Sequence, residues 1–296
     1  MRGRARAPGA GTVLNALANG RGSAFAIEAY TTAEVELSDD GGARDAGGSA
    51  GGPGAVTGEV AGAPDADTRL IERCVELVVE AFGDGQGGHV RTESEVPMAA
   101  GLKSSSAAAN ATVLATLDAL GELEEVDRED AARIGVEAAR DVGVTVTGAF
   151  DDASASMLGG VTVTDNARDE LLSREPVEWD VLVWTPPERA YSADADVDRC
   201  ARIAPVADFV AETALDGKYA EAMTVNGFAF AAALGFSAEP LIEALPEARG
   251  VSLSGTGPSV TAIGEADALA DVEARWAQRA GRTWLTRTQN DGAGTT

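Results

Sequence analysis

Lysine is almost missing from this chain: Lys103 and Lys218 are the only two in 296 residues, and arginine supplies the other basic side chains. Cysteine (two), histidine (one) and aromatic residues (5%) are scarce as well. Cys74 and Cys200 have no second Cys or His at ligand spacing, which excludes a zinc module and a disulfide framework and leaves Cys74 as a core thiol. No apolar run is long enough to span a bilayer, and Met1-Arg2-Gly3-Arg4 opens no apolar leader. A cytoplasmic protein with no membrane partner is therefore expected. The chain also lacks G-K-[ST], so a Walker-type phosphate loop is excluded.

Acid is abundant. Asp and Glu number 48 against 23 Lys and Arg, a formal charge of −25. The acids are dispersed rather than blocked, which reads as a solvated surface and argues against a nucleic-acid partner. Such a surface repels itself in dilute buffer and is screened at molar salt, where the Debye length is about 3 Å. The composition therefore suits a salt-loaded cytoplasm and makes each remaining lysine conspicuous. A hydrophobic share of 45% is enough for a substantial core, in one large domain or two ordinary ones.

The order of elements is that of an α+β protein. Residues 4–15 read as a strand broken at Pro8-Gly9, and the turn Asn19–Ser23 leads into an apolar run, Ala24 to Leu37, as a hairpin would. Residues 38–67 are rich in Gly, Ala and Asp and read as a surface insertion. Helices are predicted at 68–82 and 128–142, capped by Asp67 or Thr68 and by Asp127. The run Gly83–Gly88 matches G-x-G-x-x-G but follows a helix and precedes a strand, the wrong context for a dinucleotide site. Further on come strands at 161–164 and 179–185, helices at 199–215, 218–234 and 239–245, paired strands at 251–254 and 259–263, a helix at 266–280 and a strand at 283–288. This order suits helices laid on one face of an antiparallel sheet. Asp194, Asp196 and Asp198 imitate a calcium loop, but Arg199 stands where that loop needs glycine.

Three small-residue stretches carry the chemistry. The first is Val96 to Asn110, where a strand ends at Pro97, Gly101 turns the chain, and Ser104-Ser105-Ser106 begin a long alanine-rich helix running to about Leu120. The serines are natural N-caps, Gly101 permits close approach of a ligand, and free amides beside one lysine make an anion site for a polyphosphate. The second is Gly148 to Gly160, with Asp151-Asp152 able to accept a hydroxyl proton. The third is the glycine turn Ser254-Gly255-Thr256-Gly257-Pro258-Ser259, able to close over a substrate. Taken singly, a capped helix, paired turn aspartates and a hairpin would explain each equally well.

Together and in this order they resemble the GHMP kinases. Pro97 to Ser106 is similar to that family's phosphate-binding motif, Gly148 to Gly160 to its second motif and Ser254 to Ser259 to its third. Among these kinases the nearest likeness is to the archaeal-type shikimate kinases, carried by Leu14-Asn15-Ala16-Leu17-Ala18-Asn19-Gly20-Arg21-Gly22-Ser23-Ala24-Phe25, by Leu70 to Val75, by G-L-K-S-S-S-A and by T-V-T-G-A-F-D-D-A. The resemblance implies a ribosomal protein S5-like N-terminal domain (1–165) and a ferredoxin-like α/β sandwich (166–296). It implies ATP and Mg²⁺ as cofactors and phosphorylation of the 3-hydroxyl of shikimate, on the route to chorismate and the aromatic amino acids. Phosphate would be held by Pro97, Ala99, Ala100, Gly101, Leu102, Lys103, Ser104, Ser105, Ser106 and Ala107. Counting back from Gly159-Gly160 places Asp152, rather than Asp151, at the catalytic aspartate. Lys103 replaces a usual glycine and is expected to touch the transferring phosphate, since Ala10 stands where mevalonate kinase has lysine. Ser105 would ligate magnesium with Asp141, or with Glu137 as its rival. Substrate would meet Arg21, Asp152, Ser254, Gly255, Thr256 and Gly257, Arg21 facing the carboxylate. A homoserine or mevalonate-type kinase, or a silent binding protein of the same fold, are the alternatives.

Overall fold

The expected hairpin forms and sets the frame of the protein, for which a computed structural model describes residues 1–38, 54–145, 148–190 and 195–296. β1 (Arg2–Leu14) pairs antiparallel with β2 (Arg21–Ser38), from Arg2 opposite Glu36 to Leu14 opposite Ser23. Pro8-Gly9 does not break β1. The register slips between Pro8 and Ala10 instead, because an irregularity absorbs the N–H that proline cannot offer to the ladder.

β2 is the spine of the first sheet. Its C-terminal half pairs with β4 (Gly87–Ser94) and its N-terminal end with β5 (Val161–Asp165). β3 (Val56–Val60) lies parallel beside β4, β6 (Glu170–Glu175) antiparallel beside β5, and β11 (Gly294–Thr295) beside β1. The insertion expected at 38–67 is thus corrected in part: 39–53 lies outside the described residues, but 56–60 is an edge strand. The second sheet runs β10 (Arg282–Arg287), β7 (Asp180–Thr185), β9 (Val260–Gly264), β8 (Gly250–Leu253), all antiparallel. Sheet membership changes between Glu175 and Asp180, whereas a division at 165/166 would part β5 from β6, which are hydrogen-bonded to each other.

The first sheet carries α1 (Arg69–Phe82), α2 (Ser104–Leu120), α3 (Arg128–Asp141) and α4 (Phe150–Leu158). Asp127 caps α3 as expected, its side chain accepting from Asp130 N at 2.9 Å. α2 is the central helix. Its alanines are buried around most of its girth, and it lies so close to β1 that a Cβ on Gly3 would stand 2.0 Å from the Ala115 carbonyl oxygen. The second sheet carries α7 (Tyr219–Leu234), α8 (Glu239–Ala244) and α9 (Ala266–Trp276), while α5 (Val197–Ala201) packs on α7 and α6 (Ala204–Leu215) bridges α7 to β1, β2 and β5 of the first sheet. The single helix expected at 199–215 is split into α5 and α6, with Pro205 in the first turn of α6, where its missing N–H costs nothing.

Two apolar cores result. One lies between the first sheet and α1–α3, around Val35, Val78, Leu114 and Leu117. The other joins the ends of β1 and β2 (Val13, Leu14, Phe25, Ile27) to the second sheet and its helices (Leu182, Phe230, Trp276). Because this second core passes from one sheet to the other, it fixes their relative placement and the cavity between them. Among the described residues no helix is long and apolar enough to cross a membrane.

Candidate active site

The serine stretch forms a tight turn in which Ala99 (φ 53°), Gly101 (φ 79°) and Lys103 (φ 63°) all adopt left-handed backbone conformations. Its carbonyls face the protein. Ala99 O accepts from Ala190 N (3.2 Å), Ala100 O from Ser259 N (3.3 Å), Gly101 O from the Ser254 hydroxyl (2.9 Å) and Leu102 O from Ala10 N (3.2 Å). With its acceptors taken, the turn presents donors outward. α2 starts at Ser104, and the residue at its cap, Lys103, offers no side-chain acceptor. The first-turn amides therefore have no intrahelical partner, and among the described residues the three serine hydroxyls have none either. The serines are not N-caps, as expected from sequence, but residues of the first turn beside its free amides. Gly101 lines the cavity, and a Cβ there would lie 2.1 Å from Ser254 O, so the missing side chain also admits the third motif.

α4 brings Asp152 to the same place. Lys103 Nζ lies 2.7 Å from Asp152 Oδ1, an ion pair by distance without the angle of a hydrogen bond. Both side chains are largely shielded, at 6% and 19% exposure. Ala10 and Leu102 are backbone neighbours, so the turn supplies a lysine beside the strand position that lacks one. Gly255 packs over this lysine: a Cβ there would stand 3.0 Å from Nζ. The glycine turn is tied down by Gly255 N donating to Thr12 Oγ1 (2.7 Å) and Asn15 Nδ2 donating to Gly255 O (2.8 Å). Asn15 N in turn donates to Asn226 Oδ1 (2.9 Å), so the N-terminal motif stitches the two sheets together around the site.

Asp151 also borders the cavity, but its carboxyl is anchored from behind. It is buried, its Oδ1 accepts from Asn166 Nδ2 at 2.6 Å, and its backbone N donates to Asn166 Oδ1 at 3.0 Å. Burial pushes its carboxyl up to about 7, with the neighbouring Asp152 charge adding to the rise and Lys103 opposing it.

Serine turn, Asp152 and glycine turn line one cavity of about 1030 Å³. Its far wall is apolar, with Val60, Leu70, Ile71 and Val136, and the segment 62–67 continues it. Of the expected substrate residues, Asp152, Gly255 and Thr256 reach this cavity, while Ser254 and Gly257 are buried behind it as supports. Pro97, Ala100, Leu102 and Ala107 build the turn without lining the space. Arg21 is not on the cavity wall. Its backbone N donates to Asn19 Oδ1, and its strand runs behind α4. Asp141 is also displaced: on the outside of α3 it pairs with Arg73 Nε at 2.8 Å, and the nearby Glu137 is exposed. An α3 carboxylate for magnesium is therefore not available, because the helix turns both side chains to solvent. The motif residues Val146 and Thr147 lie outside the described residues, as does Asp194.

Sequence reasoning missed Arg189. It follows the Pro186-Pro187 strand end, lines the cavity and, with Lys103, makes up the cationic lining among the described residues. No periodicity or motif marks it; only the return of the chain to Ala99 through Ala190 brings it there.

Residues 69–160 match the family described as the GHMP kinases N terminal domain. Over 296 residues the chain is 62% identical to a shikimate kinase of Halobacterium salinarum, covering 100% of both chains. It is 52% identical over 294 residues to a shikimate kinase of Methanothrix thermoacetophila, covering 99% of this chain and 96% of that one. The crystal structure of the Methanococcus jannaschii mevalonate kinase superposes with a TM-score of 0.76 at 13% identity, over 98% of this chain and 99% of that one, a likeness of fold.

Proposed function

The chain belongs to the GHMP kinases and, among them, to the archaeal shikimate kinases, and on that premise we propose that it transfers the γ-phosphoryl group of ATP to the 3-hydroxyl of shikimate. One observation carries the reading: the unpartnered donors at the start of α2 and the Asp152 carboxylate face one cavity, with Lys103 between them.

The triphosphate sits on the first-turn amides and hydroxyls of Ser104–Ser106, where aligned peptide dipoles favour anions. The apolar wall of Val60, Leu70 and Ile71 takes the nucleotide base. The acceptor hydroxyl lies beside Asp152. As its oxygen bonds to the γ-phosphorus and the bond to ADP breaks, Asp152 takes the hydroxyl proton. Lys103, poised on Asp152, holds positive charge where the transferring phosphoryl gathers negative charge. Arg189 replaces Arg21 as the cation for the shikimate carboxylate, being on the cavity wall and without an ion pair among the described residues. The donor set fits Mg²⁺ in a limited way. Among the described residues no cluster of three His, Cys, Asp or Glu could hold a metal, but Mg²⁺ beside phosphates takes one or two protein oxygens and keeps its waters. The unpartnered Ser105 hydroxyl is the oxygen on offer, and the ion when bound neutralises β- and γ-phosphate charge.

The test is ADP release in molar KCl with shikimate, homoserine and mevalonate as acceptors. Release is expected with shikimate, and Asp152→Asn should reduce it about 10²-fold or more while nucleotide binding persists. Release with homoserine or mevalonate in preference to shikimate would reassign the substrate.

A further inference from the structure

Asp151 has no part in the reaction as described above, yet it is a buried carboxyl beside the base. Its surroundings are built for it. Gly22 on β2 leaves room that a side chain would fill, since a Cβ there would stand 2.5 Å from Asp151 Cβ, Cγ and Oδ2. Behind it Asn166 is locked by three bonds: it donates to Asp151 Oδ1 and accepts from Asp151 N and from the Thr164 hydroxyl (2.8 Å). The Gly22 of the N-terminal motif is explained by this seat rather than by contact with a substrate.

The charges around it are few. On its own helix stands Asp152, and from the turn before α2 comes Lys103. β2 offers the Gly22 backbone, with Arg21 next along the strand. On the far side of Asn166, Arg140 of α3 is held by Asp169 (2.6 Å). One lysine thus faces two carboxyls, of which Asp152 holds it directly. If both acids ionise, the group carries a net negative charge where an anionic phosphoryl donor must approach.

We propose that Asp151 is a positioning residue acting through Asp152: seated as the neutral acid on Gly22 and Asn166, it leaves Lys103 and Asp152 as a balanced pair, and its ionisation makes Asp152 a stronger proton acceptor. Burial and the adjacent charge, which raise its titration to near neutrality, put this change within the working range. The inference rests on the kinase reading for its kinetic arm only.

The experiment compares wild type with Asp151→Asn, an isostere of the neutral acid, over pH 5.5–8.5 in molar KCl, measuring kcat with shikimate and MgATP and, separately, the thermal midpoint. In wild type kcat should show a limb near neutral pH that the variant lacks. The folded state holds a proton that the unfolded chain has released, so stability from this group is present at low pH and lost as pH rises through the folded titration. The variant's thermal midpoint should therefore gain on wild type as pH rises from 5.5 to 8.5. Asn166→Ala, which removes a donor favouring the ionised form, should move the wild-type limb to higher pH and serves if Asp151→Asn does not fold. Superimposable pH profiles, a midpoint difference that is constant with pH, or loss of turnover at every pH equal to that of Asp152→Asn would overturn the proposal. The midpoint needs no turnover, so failure of the shikimate assay leaves the protonation result to stand or fall alone.

Discussion

Lys103 combines two roles that oppose each other. At φ 63° it occupies a backbone region that costs a side-chain-bearing residue about 1 kcal/mol and costs glycine almost nothing. That accounts for glycine as the usual residue at this position in the resembling motif. Here the strain is retained in exchange for an ammonium 2.7 Å from Asp152. Lys103→Ala and Lys103→Gly remove the same cation but only the first keeps the strain. Both should lower kcat about 10²-fold, and the glycine variant should be the more stable of the two by about 1 kcal/mol in denaturant titration. Equal turnover in wild type and both variants would remove Lys103 from the mechanism. At this scale the sequence was informative about residue type and misleading about reason. Gly101 and Gly255 were legible as positions of close approach and both border the cavity, yet the tightest contacts their bare backbones allow are with protein, Gly101 with Ser254 and Gly255 with Gly101 and Lys103.

Among the elements, α4 depends on a partner far away in sequence. Its last turn is held by the C-terminal segment: Ala293 N donates to Met157 O (3.0 Å), and Gly160 N donates to Gln289 O (2.8 Å). Arg128 of α3 donates to Ala293 O, and β11 closes against β1. Gly159 and Gly292, both at positive φ, let the two backbones touch. Deleting residues 292–296 removes several such bonds, each worth about 1 kcal/mol. The thermal midpoint should fall by about 5–10 °C, and kcat should fall with it while the KM for ATP, on the proposal that ATP binds at the α2 start, should change less. An unchanged kcat would show that α4 holds Asp152 without this support. None of this was legible beforehand. Residues 289–296 have no periodicity, and β3, β6 and β11 are short or Gly-interrupted strands whose pairing is decided by neighbours rather than by their own pattern.

At the scale of the whole molecule, charge dominates. With a formal charge of −25, the protein has its arginines largely engaged with acids across its surface, as in Arg73 with Glu76, Glu80 and Asp141, or Arg279 with Glu239 and Glu243. Exposed pairs of this kind contribute little each, and the unpaired acids repel. Raising KCl from 0.1 M to 3 M should lift the thermal midpoint by on the order of 10 °C, because the Debye length shrinks to a few ångströms. A midpoint that falls with added salt would mean that attraction, not repulsion, governs this surface. The cavity belongs to this scale too, since the core joining Phe25 and Leu14 to Phe230 and Trp276 holds the two sheets at the distance that leaves it open.

The sequence by itself determined most of the helices and strands and the order of the three motifs, and it offered the α2 start and Asp152 as candidates for phosphate binding and proton transfer. These follow from local rules of capping, periodicity and spacing, which need no knowledge of neighbours. Only the tertiary structure decided that Asp141 faces solvent, that Arg21 runs behind α4, that Arg189 returns to the cavity and that Asp151 packs against Gly22. The physical reason is the same in each case. A side chain's role depends on which way its helix or strand is turned, and that is set by burial of apolar surface contributed from distant parts of the chain.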